Sequence, residues 1–260
     1  MAIELKGKKG IVFGVSNEDS IAWACAKQAS DAGAELVISC IDRRLVDSVK
    51  KLIEDHKVNA TVSVCNAVVE EDLNRVFEEI SQKWGELDFV VHSIAFAKKR
   101  ELQGEFINTS QFNFQISMET SVYTLTTICR AARPLLKKSE AGGSVITMTY
   151  LGSERVMQGY NVMGVAKAAL EASMRYLAAD LGPDGIRVNA ISAGPVSTTA
   201  ARAITRFPEM LEITKQRSPL KRCIDTVDVA NAALFLMSDM SRSITGDVMF
   251  VDAGYHVMGI

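Results

Sequence analysis

GIVFGVSNEDSIAWACA, residues 10–26, changes its periodicity half-way, and that change decides the fold. Residues 10–15 are a short apolar burst of the length and composition of a buried strand. After Gly14 comes a polar turn, and Ser20 with Ile21 then opens an alanine-rich helix, where a serine at the N-cap can accept a first-turn N–H. A strand that turns this tightly into a helix leaves free backbone N–H groups and the positive end of the helix beside the turn, an arrangement suited to an anion. The full GxGxxG spacing is absent, because Ser20 and Ala22 stand where glycines could fall, so the turn alone does not decide its ligand.

Six further bursts of strand length follow at 34–40, 60–67, 87–96, 144–151, 187–194 and 247–254, separated by segments of helical period. Leu73, Val76, Phe77 and Ile80 show that period in EEDLNRVFEEISQKWG, which opens on acids and closes at Gly85. Strands alternating with helices predict an α/β fold, and near-continuous Val and Ile predict strands covered on both faces. The expectation is a Rossmann-type, doubly wound, seven-stranded parallel sheet. No linker or repeat divides the chain, so residues 1–260 are expected to form one domain. Residues 195–224 interrupt the pattern between the last two strands, and an excursion of that length predicts a substrate-binding lid.

Bulk composition narrows the class of protein. With 48% hydrophobic and 23% charged residues and a net charge of −2, the chain carries no basic footprint for nucleic acid. No apolar run reaches membrane-spanning length. Five scattered cysteines, Cys25, Cys40, Cys65, Cys129 and Cys223, have no metal-ligand spacing and read as thiols of a reducing compartment. The N-terminus shows no secretory cleavage site, and the expected location is the cytoplasm. His56 and His256 have no acidic or cysteine partner at ligand spacing, and no metal is expected.

The end of the second burst, SCIDRR, tests which dinucleotide the turn would take. An acid at this place binds a ribose diol, whereas a base receives a 2′-phosphate. Asp42 argues for NADH and Arg43 with Arg44 for NADPH, so the residues lean to NADH and leave NADPH open.

Five strings then fall in one order: GVSNEDSIAWA, VVHSIAFA, MTYLGSERV, YNVMGVAKAAL and RVNAISAGPVSTTAA. The whole chain resembles the enoyl-acyl-carrier-protein reductases of bacterial fatty-acid synthesis, a divergent branch of the short-chain dehydrogenase/reductases. The most specific part of the resemblance is Tyr150, Tyr160 and Lys167 together. In the ordinary short-chain reductases the tyrosine precedes the lysine by four residues, and here that place holds Met163, which cannot donate a proton. Counting back from Met163 to their usual carbonyl-assisting serine lands on Tyr150. At about 100° per residue, a position seven along a helix returns to within about 20° of its start, which predicts that Tyr160 and Lys167 share a helix face.

The resemblance implies reduction of a trans-2-enoyl thioester, with Tyr160 holding the thioester oxygen, Lys167 anchoring the nicotinamide ribose and Tyr150 lining the acyl pocket. It also implies cofactor contacts at Gly14, Ser20, Ile21, Ile41, Asn66, Ala67, Ile94, Val196, Thr198 and Ala200. Substrate contacts are implied at Ala97, Met163 and Phe207, beside the two tyrosines. Ile41, Asn66 and Ala95 depart from the commoner family residues, which are polar, acidic and glycine respectively. The implied partner is an acyl carrier protein, toward which Lys98, Lys99, Arg100, Arg202 and Arg206 could direct an acidic surface, and the implied assembly is a homotetramer. His92 is expected to be a hydrogen-bonded strand residue outside the chemistry.

Overall fold

The computed structural model describes residues 3–204 and 206–259. Seven strands, β1 (Lys9–Phe13), β2 (Glu35–Cys40), β3 (Ala60–Val64), β4 (Phe89–His92), β5 (Ser144–Thr149), β6 (Arg187–Ala193) and β7 (Val248–Val251), form one sheet in the order β3-β2-β1-β4-β5-β6-β7. Every pairing is parallel. The helices are α1 (Ile21–Asp31), α2 (Val46–Asp55), α3 (Glu70–Trp84), α4 (Gln111–Met118), α5 (Thr124–Leu136), α6 (Val162–Leu181), α7 (Phe207–Arg217) and α8 (Thr226–Met237).

Alternation along each strand feeds two cores. On β1, Val12 packs with Ala22 of α1, Val49 of α2 and Val229 of α8, whereas Ile11 and Phe13 pack with Leu73 of α3, Ile128 of α5 and Leu170 of α6. Helices therefore cover both faces of the sheet, as the apolar strands require. The strand order reverses at β1, which lies between β2 and β4, and the crevice beyond the carboxyl ends of these strands is where such sheets bind ligands.

Each expected strand is present and each is shorter than its apolar burst. The largest difference is the burst at 87–96, of which only Phe89–His92 pairs as β4. The other bursts lose up to four residues, most of them at their ends. Apolar side chains past a strand's last rung are needed to wall a cavity as much as to fill a core, and composition does not separate the two uses. α3 follows its sequence signals, with Glu70, Glu71 and Asp72 in the first turn and Gly85 closing it at φ 74°. The 195–224 excursion contains a single short helical turn, Ala201–Ala203, and then α7.

His92 sits wholly buried at the end of β4, with Nδ1 2.8 Å from Thr147 Oγ1 and Nε2 3.0 Å from Thr124 Oγ1. Burial, helped by the charge of Lys167, pushes its imidazole down to about 3, so it stays neutral in the fold. An unfolded histidine titrates near 6.5, so below that pH the unfolded chain takes up a proton that the native chain refuses. Stability contributed by the neutral imidazole is complete above about pH 6.5 and is lost as pH falls toward 3. His92→Gln is expected to flatten the fall of Tm between these values, and an unaltered slope would assign the acid sensitivity to other groups.

Candidate active site

One cavity of about 580 Å³ runs along the carboxyl ends of the strands, and every residue expected to contact cofactor or substrate lies on its wall. At one end stand Ile41, Asn66 and Ala67, just past β2 and β3. The carboxylate of Asp42 accepts from the Arg44 backbone N–H (2.8 Å) and from its guanidinium (2.7 Å), so Arg44 is already matched by an acid of the same turn. Asn66 donates its backbone N–H to Asp72 at 2.8 Å, which fixes the loop that carries it.

The turn after β1 forms the middle of the cavity. Ser20 caps α1 by accepting the Trp23 N–H at 3.1 Å, and its hydroxyl donates to the Asn17 carbonyl at 2.8 Å. The Ile21 and Ala22 N–H groups have no place in the helix's own ladder and remain for an anion. Gly14 adopts φ +97°, and a Cβ there would stand 2.0 Å from the Ser93 carbonyl oxygen. The strand-end backbones thus approach so closely that only glycine fits.

At the other end Lys167 is buried, and its Nζ donates to the Met148 carbonyl at 2.7 Å. Burial pushes its ammonium down to about 8, and the buried Glu171 one helical turn along α6 opposes that shift. Glu171 is itself held by the Thr149 hydroxyl, which donates to it at 2.5 Å. The rings of Tyr150 and Tyr160 meet edge to face with centroids 5.0 Å apart, and burial pushes both phenols above their usual range. Met163 is buried beside them, with its sulfur 3.9 Å from the Ser121 hydroxyl. Ser121 lies in a wider, π-type turn at Glu119–Tyr123 and accepts the Phe96 N–H at 2.9 Å, so the turn tethers the loop after β4.

One expectation fails in its geometry. α6 begins at Val162, so Tyr160 precedes the helix and does not share a helix face with Lys167. Gly159 at φ +78° and Asn161 at φ +39° flank Tyr160 and stop right-handed helix from extending back through it. Tyr160 and Lys167 nevertheless reach the same cavity, because the turn folds over Gly152. A Cβ on Gly152 would lie 2.6 Å from the Tyr160 ring, and one on Gly164 would lie 2.8 Å from the Gly152 carbonyl oxygen. Sequence reasoning missed Gly152, Gly164 and Glu171; a glycine inside a helix is the one signal that pointed to Gly164.

The segment after β6 covers the cavity with Val196, Thr198 and Ala200, while Ile94 faces the same region from the loop after β4. Its Thr199 hydroxyl accepts from Asn17 Nδ2 at 2.9 Å, and Arg202 pairs with Asp19 at 2.8 Å. Both bonds join the covering segment to the turn after β1. Ala97, Phe207, Leu102, Ile204 and Met210 complete an apolar end next to the tyrosines. Arg206 is paired with Glu209, so neither Arg202 nor Arg206 is left free for an outside acid. His56 faces Glu18 at 3.1 Å and His256 faces Asp252, four residues before it, at 3.0 Å, so each imidazole has an acidic neighbour, against the expectation that it has none. Among the described residues no group of three or more potential ligands comes together for a metal.

The model of the family described as Enoyl-(Acyl carrier protein) reductase matches residues 14–256. The chain belongs to the enoyl-acyl-carrier-protein reductase family. It is 46% identical over 259 residues to the enoyl-[acyl-carrier-protein] reductase [NADH] 1 of Rhizobium meliloti, covering 98% of this chain and 93% of that one. The crystal structure of the reductase from Anaplasma phagocytophilum, in complex with NAD, superposes with a TM-score of 0.93 at 45% identity, covering 98% of this chain and 96% of its own. The Bacillus cereus reductase, crystallised with NADP+ and an indole naphthyridinone, gives 0.95 at 42% identity over the full length of both chains.

The cavity of this reductase fits a dinucleotide on its own evidence. Its wall holds a helix N-terminus beside a glycine that admits no side chain, and it carries no aspartate or glutamate among the described residues. The apolar end then offers two phenols to a substrate.

Proposed function

We infer that this chain reduces trans-2-enoyl-[acyl-carrier-protein] thioesters to saturated acyl thioesters with NADH, the last reductive step of each round of fatty-acid elongation. The observation that carries the reading is Met163 standing one helical turn before Lys167 while Tyr150 and Tyr160 line the cavity around it. An ordinary ketone reductase needs a proton donor at the methionine's place.

Gly14, Ser20 and Ile21 would hold the pyrophosphate, Ile41, Asn66 and Ala67 the adenosine, and Ile94, Val196, Thr198, Ala200 and Lys167 the nicotinamide ribose and amide. Bound there, a reduced nicotinamide would supply the hydride for the β-carbon of the enoyl thioester. The electron pair of the double bond moves toward the thioester oxygen as an enolate, and Tyr160 donates its O–H to that oxygen. Because burial raises the Tyr160 phenol, it keeps its proton across the working pH range and acts as a neutral donor. Tyr150 fixes the plane of the Tyr160 ring by its edge-to-face contact. A proton drawn from solvent, delivered to the α-carbon by way of Tyr160 or through a relay, completes the saturated product. Met163, Phe207 and Ala97 would receive the acyl chain.

Residues 1–260 act as one reductase domain, with 195–224 as its lid, latched at Asp19 and Asn17. The exposed Tyr123, Val165 and Tyr176 on and beside α5 and α6 support assembly into a homotetramer. Cytoplasmic location is supported by five free thiols; among the described residues no helix is long and apolar enough to cross a membrane.

The test follows reduced-nicotinamide absorbance with a crotonyl or longer 2-enoyl thioester and, in parallel, with a 3-oxoacyl thioester, using NADH and then NADPH. Turnover of the enoyl substrate with NADH is expected. Turnover of the 3-oxo substrate alone would overturn the reading, and turnover of neither would leave a dinucleotide-binding protein without this chemistry. Lys167→Ala is expected to weaken NADH binding by roughly ten- to a hundred-fold, the worth of a charge-assisted hydrogen bond. An unchanged NADH affinity with a collapsed kcat would move Lys167 from the cofactor to the proton chemistry.

A further inference from the structure

The cavity wall carries two cations among its described residues, the buried Lys167 and the exposed Lys99, and no acid. Lys99 belongs to the short turn Lys99–Leu102, whose last residue also lines the cavity. That turn abuts the tyrosine end: a Cβ on Gly159 would lie 3.6 Å from the Leu102 carbonyl oxygen, and Asn161 donates to the Gly104 carbonyl at 3.2 Å. Lys99 is therefore at the substrate end and not at the adenosine end marked by Ile41.

The other basic residues of this face are engaged. Arg100 pairs with Glu101 at 3.0 Å, and Glu101, itself buried, also accepts from Asn113 at 2.6 Å. Lys98 lies over the Phe112 ring at 5.0 Å. Arg202 is paired with Asp19, and Arg206 with Glu209. Lys99 has no carboxylate within ion-pair distance among the described residues, although it stands two residues from Glu101.

An acyl group delivered by a carrier protein arrives on a pantetheine arm, with a thioester at one end and a phosphate at the other. With the thioester beside Tyr160 and the acyl chain among Ala97, Met163 and Phe207, the arm points out toward solvent, and the exposed Lys99 is the cation that the described wall offers there. We propose that Lys99 is a phosphate subsite that recognises the phosphate of the pantetheine arm, so that the arm and not only the carrier's surface is read. This rests on the enoyl reductase reading and names how its substrate is held.

The experiment compares 2-enoyl thioesters of pantetheine and of 4′-phosphopantetheine, identical except for the phosphate, with NADH and wild-type, Lys99→Met and Lys99→Arg protein. The wild type is expected to show a lower KM for the phosphorylated thioester, by about three- to ten-fold, with similar kcat. Lys99→Met should abolish that preference, Lys99→Arg should keep it, and all three should share one KM for NADH. Added salt should shrink the wild-type preference, because the lysine is exposed. A preference that survives in Lys99→Met, or none in the wild type, overturns the subsite while leaving the reductase reading intact. Failure to turn over either thioester would overturn both.

Discussion

Replacing Tyr160 with phenylalanine is expected to lower kcat by about 10²–10³, the cost of losing one donor to a developing oxyanion, or roughly 3 kcal/mol. The change removes only the hydroxyl, so the ring still packs against Gly152 and the edge of Tyr150. NADH affinity should hold, since Lys167 sits on α6 and is anchored independently, through Nζ to the Met148 carbonyl. KM for the enoyl thioester should move little, because the bond to Tyr160 strengthens as charge builds on the oxygen and is weak before then. The decisive measurement is single-turnover oxidation of NADH beside NADH binding. Near-normal turnover in Tyr160→Phe would transfer the donor role to another group, with Tyr150 the first to test.

Gly14→Ala is expected to damage both the fold and the cofactor site. At φ +97° an alanine is strained, and its methyl carbon would meet the Ser93 carbonyl at 2.0 Å. Neither partner is a flexible side chain, so the turn after β1 must part from the end of β4. A loss of about 3 kcal/mol or more is expected, a fall in Tm on the order of 10 °C for a chain this size, with NADH affinity reduced at least about ten-fold. Gly85→Ala supplies the control, because Gly85 has φ +74° but nothing within 4 Å of a new Cβ. Gly85→Ala should cost about 1–2 kcal/mol and leave NADH binding alone. Equal effects of the two changes would mean that backbone strain, and not the close approach to Ser93, governs position 14.

The sheet was legible because its inner strands are buried on both faces and so carry mostly apolar sequences, from Ile11 of β1 to Ala193 of β6, while the edge strands β3 and β7 are only half-buried. The membership of the cavity wall was legible through family motifs. Strand ends were not, since Ile94, Ala95 and Phe96 continue the apolar run of β4 while serving the cavity. The relation of Tyr160 to α6 was misjudged for a related reason. A spacing of seven fits a helix, and the interruption comes from two backbone conformations, at Gly159 and Asn161, that side-chain periodicity does not record. Ion pairs between distant segments, such as Arg202 with Asp19 across 183 positions, are invisible to any local pattern.

Because Tyr160 stands on a turn outside α6, the two reactive ends of the site are positioned by different local geometries. Lys167 is fixed on a 20-residue helix packed into the core, whereas Tyr160 sits on the turn before it, its ring over Gly152 and its carbonyl accepting the Met163 N–H at 2.9 Å. A substitution in that turn, such as at Gly159 or Asn161, is therefore expected to re-aim the phenol more than it disturbs the Lys167 anchor at the Met148 carbonyl. The placement of the proton donor can thus vary through backbone conformation alone, while the lysine keeps a seat set by the helix.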